Sequence, residues 1–258
     1  MSSHPLNYDK IASEYDRRYD NLPLQDRGKA LLALAGRLRP RRVLEAGCGT
    51  GHWLAAMHSV APHLFGLDLS QGMLNQARKR GAGLSLVRGT AVQLPFRQEQ
   101  FDLIVCIDAI HHFSHPRGFI AEAFRALRPG GALAILYGDP RHGVWYVYSY
   151  FENVYAADLA RFPVREELVE WMTAAGFEQV DLQTVEEVKE LCEGRRILEN
   201  PFLRKNSCSQ LALLSDEAYQ AGIAGIENAL REAEARGEKL SFRTELSICM
   251  AVAYKHSA

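Results

Sequence analysis

Three glycines at alternate positions, Gly47, Gly49 and Gly51, lie between an apolar run and a segment that can begin a helix. The run before them, residues 43–46, has the apolar character of a buried parallel strand. Glycine accepts positive φ angles and lets a ligand approach the backbone closely. The next apolar run ends in Asp68, whose carboxylate can accept hydrogen bonds from a ribose diol. This spacing predicts a nucleotide-binding turn between a strand and a helix.

The residues beside this turn separate one nucleotide cofactor from another. The dinucleotide fingerprint G-x-G-x-x-G has its third glycine where this chain has His52. The observed pattern is E-x-G-x-G-x-G, which places the Glu45 carboxylate next to the turn. A carboxylate suits a cationic ligand better than an anionic pyrophosphate. The turn therefore favours a sulfonium amino acid over NAD.

On these residues the chain resembles the class I S-adenosylmethionine-dependent methyltransferases. The first motif of that family is similar to residues 44–51, and its second strand ends in an acidic residue like Asp68. Further similar segments follow in the family's order, namely residues 88–96, 101–108 and 126–135. Together the similar segments cover residues 40–137. This chain departs from the family at Thr90, where the family often has Asp for the adenine amino group.

The resemblance implies a cofactor site at the carboxyl ends of the strands, where open α/β sheets bind their ligands. The backbone of Gly47, Cys48 and Gly49 would contact the methionine portion of S-adenosylmethionine. Glu45 would help to receive its ammonium group, and Asp68 would hold its ribose hydroxyls. The other predicted contacts are Leu69 and Met73 beside the adenine, the backbone of Thr90 and Ala91, and Ile107 and Tyr15. For Met73, ordinary core packing is the alternative. The product would be S-adenosylhomocysteine.

Two amino-terminal tyrosines, Tyr8 and Tyr15, resemble the aromatic lid of small-molecule methyltransferases. Such a lid would exclude water from the sulfonium. Both tyrosines also have helical spacing, so half-buried packing on an amphipathic helix is the alternative. We expect residues 1–38 to form an amino-terminal helical lid.

Two adjacent histidines, His111 and His112, follow the fourth predicted strand, where the family places its reacting substrate. Either could accept a proton from a hydroxyl, thiol or amine during direct in-line transfer. Lining the cofactor is the alternative, because alignment and exclusion of water can suffice for methyl transfer. We expect no metal site, since adjacent histidines diverge and no acidic residue is spaced to complete a site with His115.

Composition narrows the class of protein. The 258 residues include 30 Lys+Arg and 31 Asp+Glu, for a formal net charge of -1. No global basic field therefore directs the chain to nucleic acid or to an anionic membrane. No apolar run approaches the ~20 residues that span a bilayer, and the amino terminus is not signal-like. Five cysteines without a C-x-x-C pair fit a reducing compartment, so a cytoplasmic protein is expected.

Alternating strand and helix patterns predict a parallel sheet wrapped by helices. A helix over 164–175, a strand over 177–185 and a final strand over 242–254 follow the resembling region. In the resembled fold the last two strands pair, and the seventh is antiparallel to its neighbours. The predicted fold class is α/β, with a Rossmann-like seven-stranded, mostly parallel sheet, helices on both faces and a helical cap. One methyltransferase domain would cover residues 1–258.

A long insertion, residues 186–241, separates the last two predicted strands. Structureless loops above ~15 residues are uncommon, and residues 216–236 have a helical pattern. We interpret the insertion as a helical cap over the substrate pocket, the alternatives being a helix packed elsewhere or a dimer contact. Oligomeric state stays open.

An aromatic run just past strand five predicts walls for an apolar or aromatic substrate, with packing in an amphipathic helix as the alternative. Its members are Trp145, Tyr146, Tyr148, Tyr150, Phe151 and Tyr155.

The predicted function is methyl transfer from S-adenosylmethionine to O, N, S or C of a small-molecule acceptor. An RNA or protein methyltransferase is an alternative. However, the Asn/Asp-Pro-Pro-aromatic motif of amino-methylating nucleic-acid enzymes is missing at residues 108–111. A non-catalytic cofactor-binding subunit is a second alternative, because fold does not establish function. A dehydrogenase is disfavoured by His52.

Overall fold

The computed structural model describes residues 7–16, 25–81 and 83–256. Within these residues, strands form one seven-stranded sheet. In chain order they are β1 (Arg42–Ala46), β2 (His63–Asp68), β3 (Leu84–Arg88), β4 (Phe101–Ile107), β5 (Leu127–Trp145), β6 (Phe177–Glu193) and β7 (Ser241–Lys255). The order across the sheet is β3-β2-β1-β4-β5-β7-β6. Strands β1 to β5 are parallel, and β7 is antiparallel to both β5 and β6, which confirms the predicted fold class.

Helices connect the strands and cover the sheet. They are α1 (Asp26–Leu38), α2 (His52–Ala56), α3 (Gln71–Arg78), α4 (Pro116–Ala126), α5 (Val147–Tyr150), α6 (Val154–Arg161), α7 (Arg165–Ala174), α8 (Ser209–Ala212) and α9 (Asp216–Ala235). No helix among the described residues combines the length and the apolar character that a membrane span requires.

Alternate side chains of the central strands enter two apolar cores, as the period of two along a strand requires. Ile104 of β4 packs in a core with residues of α4 and α7, such as Phe119. The next residue, Val105, packs in a second core with Leu34 of α1 and with residues of α2. The sheet is therefore buried on both faces, and its ligand-binding edge is the end at which β1, β2 and β4 finish.

The insertion between the last two strands is shorter than predicted. Residues 186–193 continue β6 and pair with β7, so that the insertion covers residues 194–240. Val185, Val188 and Leu191 recur every third residue, a spacing that does not predict a strand. Pairing with β7 overrides that pattern, since strand formation depends on cross-strand neighbours more than on intrinsic preference.

The insertion and the aromatic run form a third apolar core beyond the ligand-binding edge. Phe151 is buried there with Ile226 and Leu230 of α9 and with Phe242 of β7. At Gly222 of α9, a Cβ atom would lie 2.3 Å from the Phe151 ring. The helix therefore approaches the ring more closely than any other residue type allows.

The described amino-terminal residues differ from the predicted continuous helix. Tyr8–Lys10 form a 3-10 turn, residues 11–14 form turns, and α1 begins at Asp26. Ile11 and Ala12 are buried against Met73 of α3, so the apolar spacing serves a tertiary contact. The predicted lid also includes residues 1–6 and 17–24, which lie outside the described residues.

Candidate functional site

The glycine turn after β1 has the backbone that its sequence predicts. Gly47, Gly49 and Gly51 have φ angles of 74°, 51° and 73°. A Cβ atom at Gly47 would lie 2.6 Å from Ala109 Cβ, and one at Gly51 would lie 3.1 Å from Ala77 Cβ. At Gly49 a Cβ atom would meet no heavy atom of the described residues within 4 Å. The outer two glycines therefore permit close packing, and the middle one borders open space of the kind a ligand needs.

Asp68, at the end of β2, holds the glycine turn in place. Its Oδ2 atom accepts a hydrogen bond from Gly49 N at 2.8 Å, and its Oδ1 atom accepts one from Ser70 N at 2.8 Å. Burial raises the pKa of this carboxyl, and the backbone hydrogen bonds oppose that rise. Each carboxylate oxygen has a second lone pair, so Asp68 can also accept hydrogen bonds from a diol.

Glu45, in β1, is a buried carboxyl with an unsatisfied oxygen. The residue is 1% exposed, and Oε2 has no hydrogen-bond partner among the described residues. Burial raises the pKa of Glu45 well above its usual value, and the nearby Asp68 carboxylate raises it further. Since a buried charge needs a partner, a cationic group would satisfy this position. The site thus fits an ammonium ligand on an observation independent of the sequence motif.

The backbone of the glycine turn offers acceptors more than donors. The N–H groups of Gly47 and Cys48 both donate to Leu67 O, at 2.8 and 3.0 Å. The contact predicted for this part of the turn would therefore fall to carbonyl oxygens, which suit an ammonium group. The Cys48 side chain is buried and packs against Gly66, so it does not reach the open side.

The structure separates the residues predicted to surround an adenine. Leu69 is 67% exposed beside Asp68, and Thr90 is also exposed, so both are accessible. Ala91 and Ile107 are buried in the two sheet cores. Met73 is 1% exposed and packs against Ile11 and Ala12.

Residues 7–16 lie across the cofactor side of the site and are fastened by two aspartates. Asp9 Oδ1 accepts hydrogen bonds from Ser70 Oγ at 2.5 Å and from Gly72 N at 2.6 Å. Asp16 accepts one from Thr50 Oγ1 at 2.5 Å and pairs with Arg80 at 2.6 Å. The rings of Tyr8 and Tyr15 in this segment meet edge to face at 5.9 Å, and their role as a lid stays a prediction.

The two candidate histidines have different surroundings. His112 Nε2 lies 2.7 Å from the Tyr8 hydroxyl, which links it to residues 7–16. His111 stacks on Phe162 at 3.9 Å, and its buried Nδ1 atom has no hydrogen-bond partner in the described part of the chain. Burial lowers the pKa of His111 well below its usual value. His111 is therefore neutral near pH 7, which is the form that can accept a proton. The third histidine, His115, accepts a hydrogen bond from Gly118 N and caps α4.

A cavity of about 420 Å³ lies between the ligand-binding edge and the insertion. Both candidate histidines, Asp108 and Tyr15 line it where it meets the cofactor side. Three members of the predicted aromatic run also line it, namely Trp145, Tyr146 and Tyr148, together with Phe162 and Phe202. The other three do not: Tyr150 and Phe151 pack in the third core, and Tyr155 is 41% exposed.

An ionic cluster that the sequence analysis missed lies in this cavity. We call Arg27, Asp108 and Glu186 the Arg27 cluster. Arg27 Nη1 lies 2.8 Å from Asp108 Oδ2, and Arg27 Nε lies 2.6 Å from Glu186 Oε2. Arg27 Nη2 and the Arg27 backbone N–H also donate to Glu186, at 3.3 and 3.1 Å. The cluster thus joins α1, the end of β4 and the extended part of β6.

The sequence contained little signal for these three residues. Arg27 is one of several charged residues in α1, and Glu186 lies in a run of Glu and Lys residues that is typical of a solvated helix. Asp108 directly follows β4, and its φ angle of 49° is unusual for a residue other than glycine. Their proximity depends on β6 reaching the ligand-binding edge, which was not predicted.

Comparison with known proteins gives a family match over the central region. A family model described as a methyltransferase domain matches residues 44–135. The rice (Oryza sativa subsp. japonica) protein 2-methyl-6-phytyl-1,4-hydroquinone methyltransferase 2, chloroplastic, is 33% identical over 151 residues, 57% of this chain and 42% of that protein. Demethylmenaquinone methyltransferase of Clavibacter sepedonicus is 28% identical over 204 residues, 67% of this chain and 82% of that protein. This chain therefore spans less than half the length of the rice relative.

Solved structures share the fold at low sequence identity. Phosphoethanolamine N-methyltransferase 2 of Haemonchus contortus, in complex with S-adenosyl-L-methionine, has a TM-score of 0.63 and 20% identity, covering 96% of this chain and 57% of that chain. This likeness shows a common sheet architecture that extends beyond the region of the family match.

Proposed function

Because the chain belongs to the class I S-adenosylmethionine-dependent methyltransferase superfamily, we propose that it transfers a methyl group from S-adenosylmethionine to a small-molecule acceptor. The observation that carries the proposal is the arrangement at the ligand-binding edge. A glycine turn with open space at Gly49 and an unsatisfied Glu45 lies next to an aromatic cavity. The first two features suit an adenosyl amino acid, and the cavity suits a second ligand.

We assign each residue a role in cofactor binding from the hydrogen-bonding groups or surfaces that remain accessible to a ligand. Glu45, with the carbonyl oxygens of the turn, would receive the ammonium group of the methionine portion. Asp68 would accept the ribose hydroxyls, and the exposed Leu69 would cover one face of the adenine. Thr90, Ala91 and Cys48 would contribute backbone groups, while Ile107 and Tyr15 would border the site. The bound sulfonium supplies an activated methyl group.

The protein's own contribution to the reaction is alignment and protection from water. Residues 7–16, held by Asp9 and Asp16, cover the cofactor side, and the insertion covers the acceptor side. His111 is neutral and buried at the boundary, so it can accept a proton from the nucleophile of an acceptor that needs deprotonation. His112 is hydrogen-bonded to Tyr8. This contact would form only when residues 7–16 cover the cofactor side.

The proposed acceptor is a molecule with an aromatic or other flat ring. Trp145, Tyr148 and Phe202 provide ring-shaped apolar walls. The names of the two curated relatives describe methylation of a hydroquinone and of demethylmenaquinone, which are also ring compounds. A panel of ring-bearing hydroxyl, amine and thiol compounds, incubated with S-adenosylmethionine and scored by a mass gain of one methyl, identifies the acceptor.

Binding of S-adenosylhomocysteine tests the cofactor assignment without an acceptor. At a hundredfold excess over Kd, it should raise the Tm by about 5–10 °C, and NAD should not. Gly49→Ala should abolish this shift, because the added methyl group enters the open space beside the turn. Gly237→Ala is the matched control: Gly237 has a φ angle of 70°, also has no heavy atom within 4 Å of a built Cβ, and lies at the exposed end of α9.

Both alanine variants carry a similar backbone strain of roughly 1–2 kcal/mol, so their own Tm values should fall alike. An equal shift with NAD, or an unchanged S-adenosylhomocysteine shift in the folded Gly49→Ala variant, would contradict the proposed cofactor site.

A further inference from the structure

Carboxylates outnumber basic groups at the floor of the acceptor cavity. In the Arg27 cluster, two carboxylates surround one guanidinium, which leaves a formal charge of -1. The three side chains are 13%, 30% and 9% exposed for Arg27, Asp108 and Glu186, so solvent screens this charge only in part. The guanidinium is directed at these carboxylates along Nε, Nη1 and Nη2.

The other charged residues that line the cavity do not reverse this balance. Asp139 is buried, and its carboxylate pairs with Arg141 at 3.1 Å and with His142 at 3.2 Å. Lys189 and Glu190 are adjacent exposed residues of opposite charge on β6. Among the described residues, therefore, the lining shows no surplus of positive charge that would attract an anion.

We propose that the cavity selects a neutral or cationic ring-bearing acceptor that presents O–H or N–H donors, and that it discriminates against acceptors carrying a carboxylate or a phosphate. This proposal rests on the proposed function in one respect, because the ligand of the cavity is identified as the methyl acceptor. Carboxylate oxygens accept hydrogen bonds from hydroxyl and amine groups, and aromatic walls attract cations. A ligand carboxylate in the same partly buried space meets like charge and loses its hydration.

The extended part of β6 creates this selectivity. The register of β6 against β7 shifts between Thr184 and Glu186. Glu186 and Val188 then line the cavity, whereas the intervening Glu187 is exposed and accepts a hydrogen bond from Ser247 Oγ at 2.9 Å. Two neighbouring glutamates thus face different environments, which provides a matched pair of variants.

Three small probes of matched shape test the proposal. Tyramine, tyrosol and 4-hydroxyphenylacetate share a phenol ring and a two-carbon tail, and they end in an ammonium, a hydroxyl and a carboxylate. We expect calorimetric titration of the S-adenosylhomocysteine-saturated protein to give Kd values at least about tenfold lower for tyramine and tyrosol than for the acid. The sulfur of S-adenosylhomocysteine is uncharged, so this ratio reports the charge of the cavity. Equal or tighter binding of the acid, or no binding of any probe, would overturn the proposal.

Charge-removing variants locate the source of the discrimination. Glu186→Gln should reduce the tyrosol-to-acid ratio severalfold, and Glu187→Gln should leave it unchanged. Asp108→Asn should act like Glu186→Gln, because asparagine tolerates the positive φ of that position. If the tyrosol-to-acid ratio is unchanged in both Glu186→Gln and Asp108→Asn, or if Glu187→Gln changes it equally, the Arg27 cluster is not the source of the discrimination. The same titrations without S-adenosylhomocysteine test the cavity even if cofactor binding fails, so the two proposals fail independently.

Discussion

Glu45 is the residue whose surroundings most restrict its role. Buried carboxyls in proteins have hydrogen-bonded or charged partners, yet one oxygen of Glu45 has none among the described residues. The Asp68 carboxylate makes the ionised form of Glu45 less favourable still. Burial and this repulsion both shift the ligand-free residue towards its acid form. A ligand ammonium would favour the ionised form, so binding and proton release should be linked.

This linkage predicts that binding of S-adenosylhomocysteine releases a proton. The pKa of Glu45 is raised in the free protein and falls in the complex, so affinity should increase as pH rises between those two values. Calorimetry at one pH within 5–8, in buffers of different ionisation enthalpy, measures the released protons. Glu45→Gln should bind more weakly and with no such release, whereas Glu122→Gln, at an ion pair with Arg125, should behave as wild type. Buffer-independent heats in the wild-type protein throughout this range would contradict the ammonium contact.

Sequence patterns predicted the strands and turns in which the local residue preference and the tertiary packing favour the same structure. The glycine turn, Asp68 and the strands β1 to β5 were recognisable because buried parallel strands are apolar and tight turns need glycine. β6 was predicted eight residues too short, as the strand prediction ended at residue 185 and the strand ends at Glu193. The polar outer half of β6 is stabilised by pairing with β7. When both faces of a strand carry charged residues, the sequence shows no alternation of apolar and polar residues from which the strand could be predicted.

Helix α9 provides a matched pair for testing how the insertion is packed. Gly222→Ala would place a methyl group 2.3 Å from the Phe151 ring, whereas Gly225→Ala would place one 3.7 Å from Tyr150 Cδ1, an ordinary contact. We expect Gly222→Ala to destabilise the protein by about 1–3 kcal/mol through overpacking. Gly225→Ala should be neutral or stabilise it by up to about 1 kcal/mol through helix propensity. Urea unfolding measures both values, and equal effects would mean that α9 does not approach Phe151 closely.

The segments that are hardest to predict from the sequence are those that surround the acceptor cavity. The two sheet cores follow from alternating apolar strands, so the ligand-binding edge and its glycine turn were predicted together. The cavity instead depends on how the third core, α1 and β6 meet, and contacts between distant segments such as Arg27 and Glu186 have no local signature. For His111, too, one property could be predicted from the sequence and another could not. Its position after β4 was predicted, but its burial against Phe162 depends on the segment after α6.

That burial makes His111 a contributor to the pH dependence of global stability. Its pKa is lowered in the folded protein, so below about pH 6.5 the unfolded chain binds a proton at this residue that the folded protein does not. This contribution to the unfolding free energy is therefore lost as pH falls through that value. Between pH 7.5 and 5.5 the loss should be larger in wild type than in His111→Gln, by about 1 kcal/mol.

Urea unfolding at the two pH values measures that difference directly, because other titrating groups are shared by both proteins and cancel. His63→Gln is the control for removal of a histidine, since His63 is exposed at the start of β2. An equal loss of stability in wild type and His111→Gln would mean that His111 becomes charged in the folded protein. That outcome would contradict the buried, unprotonated His111 that its contact with Phe162 implies.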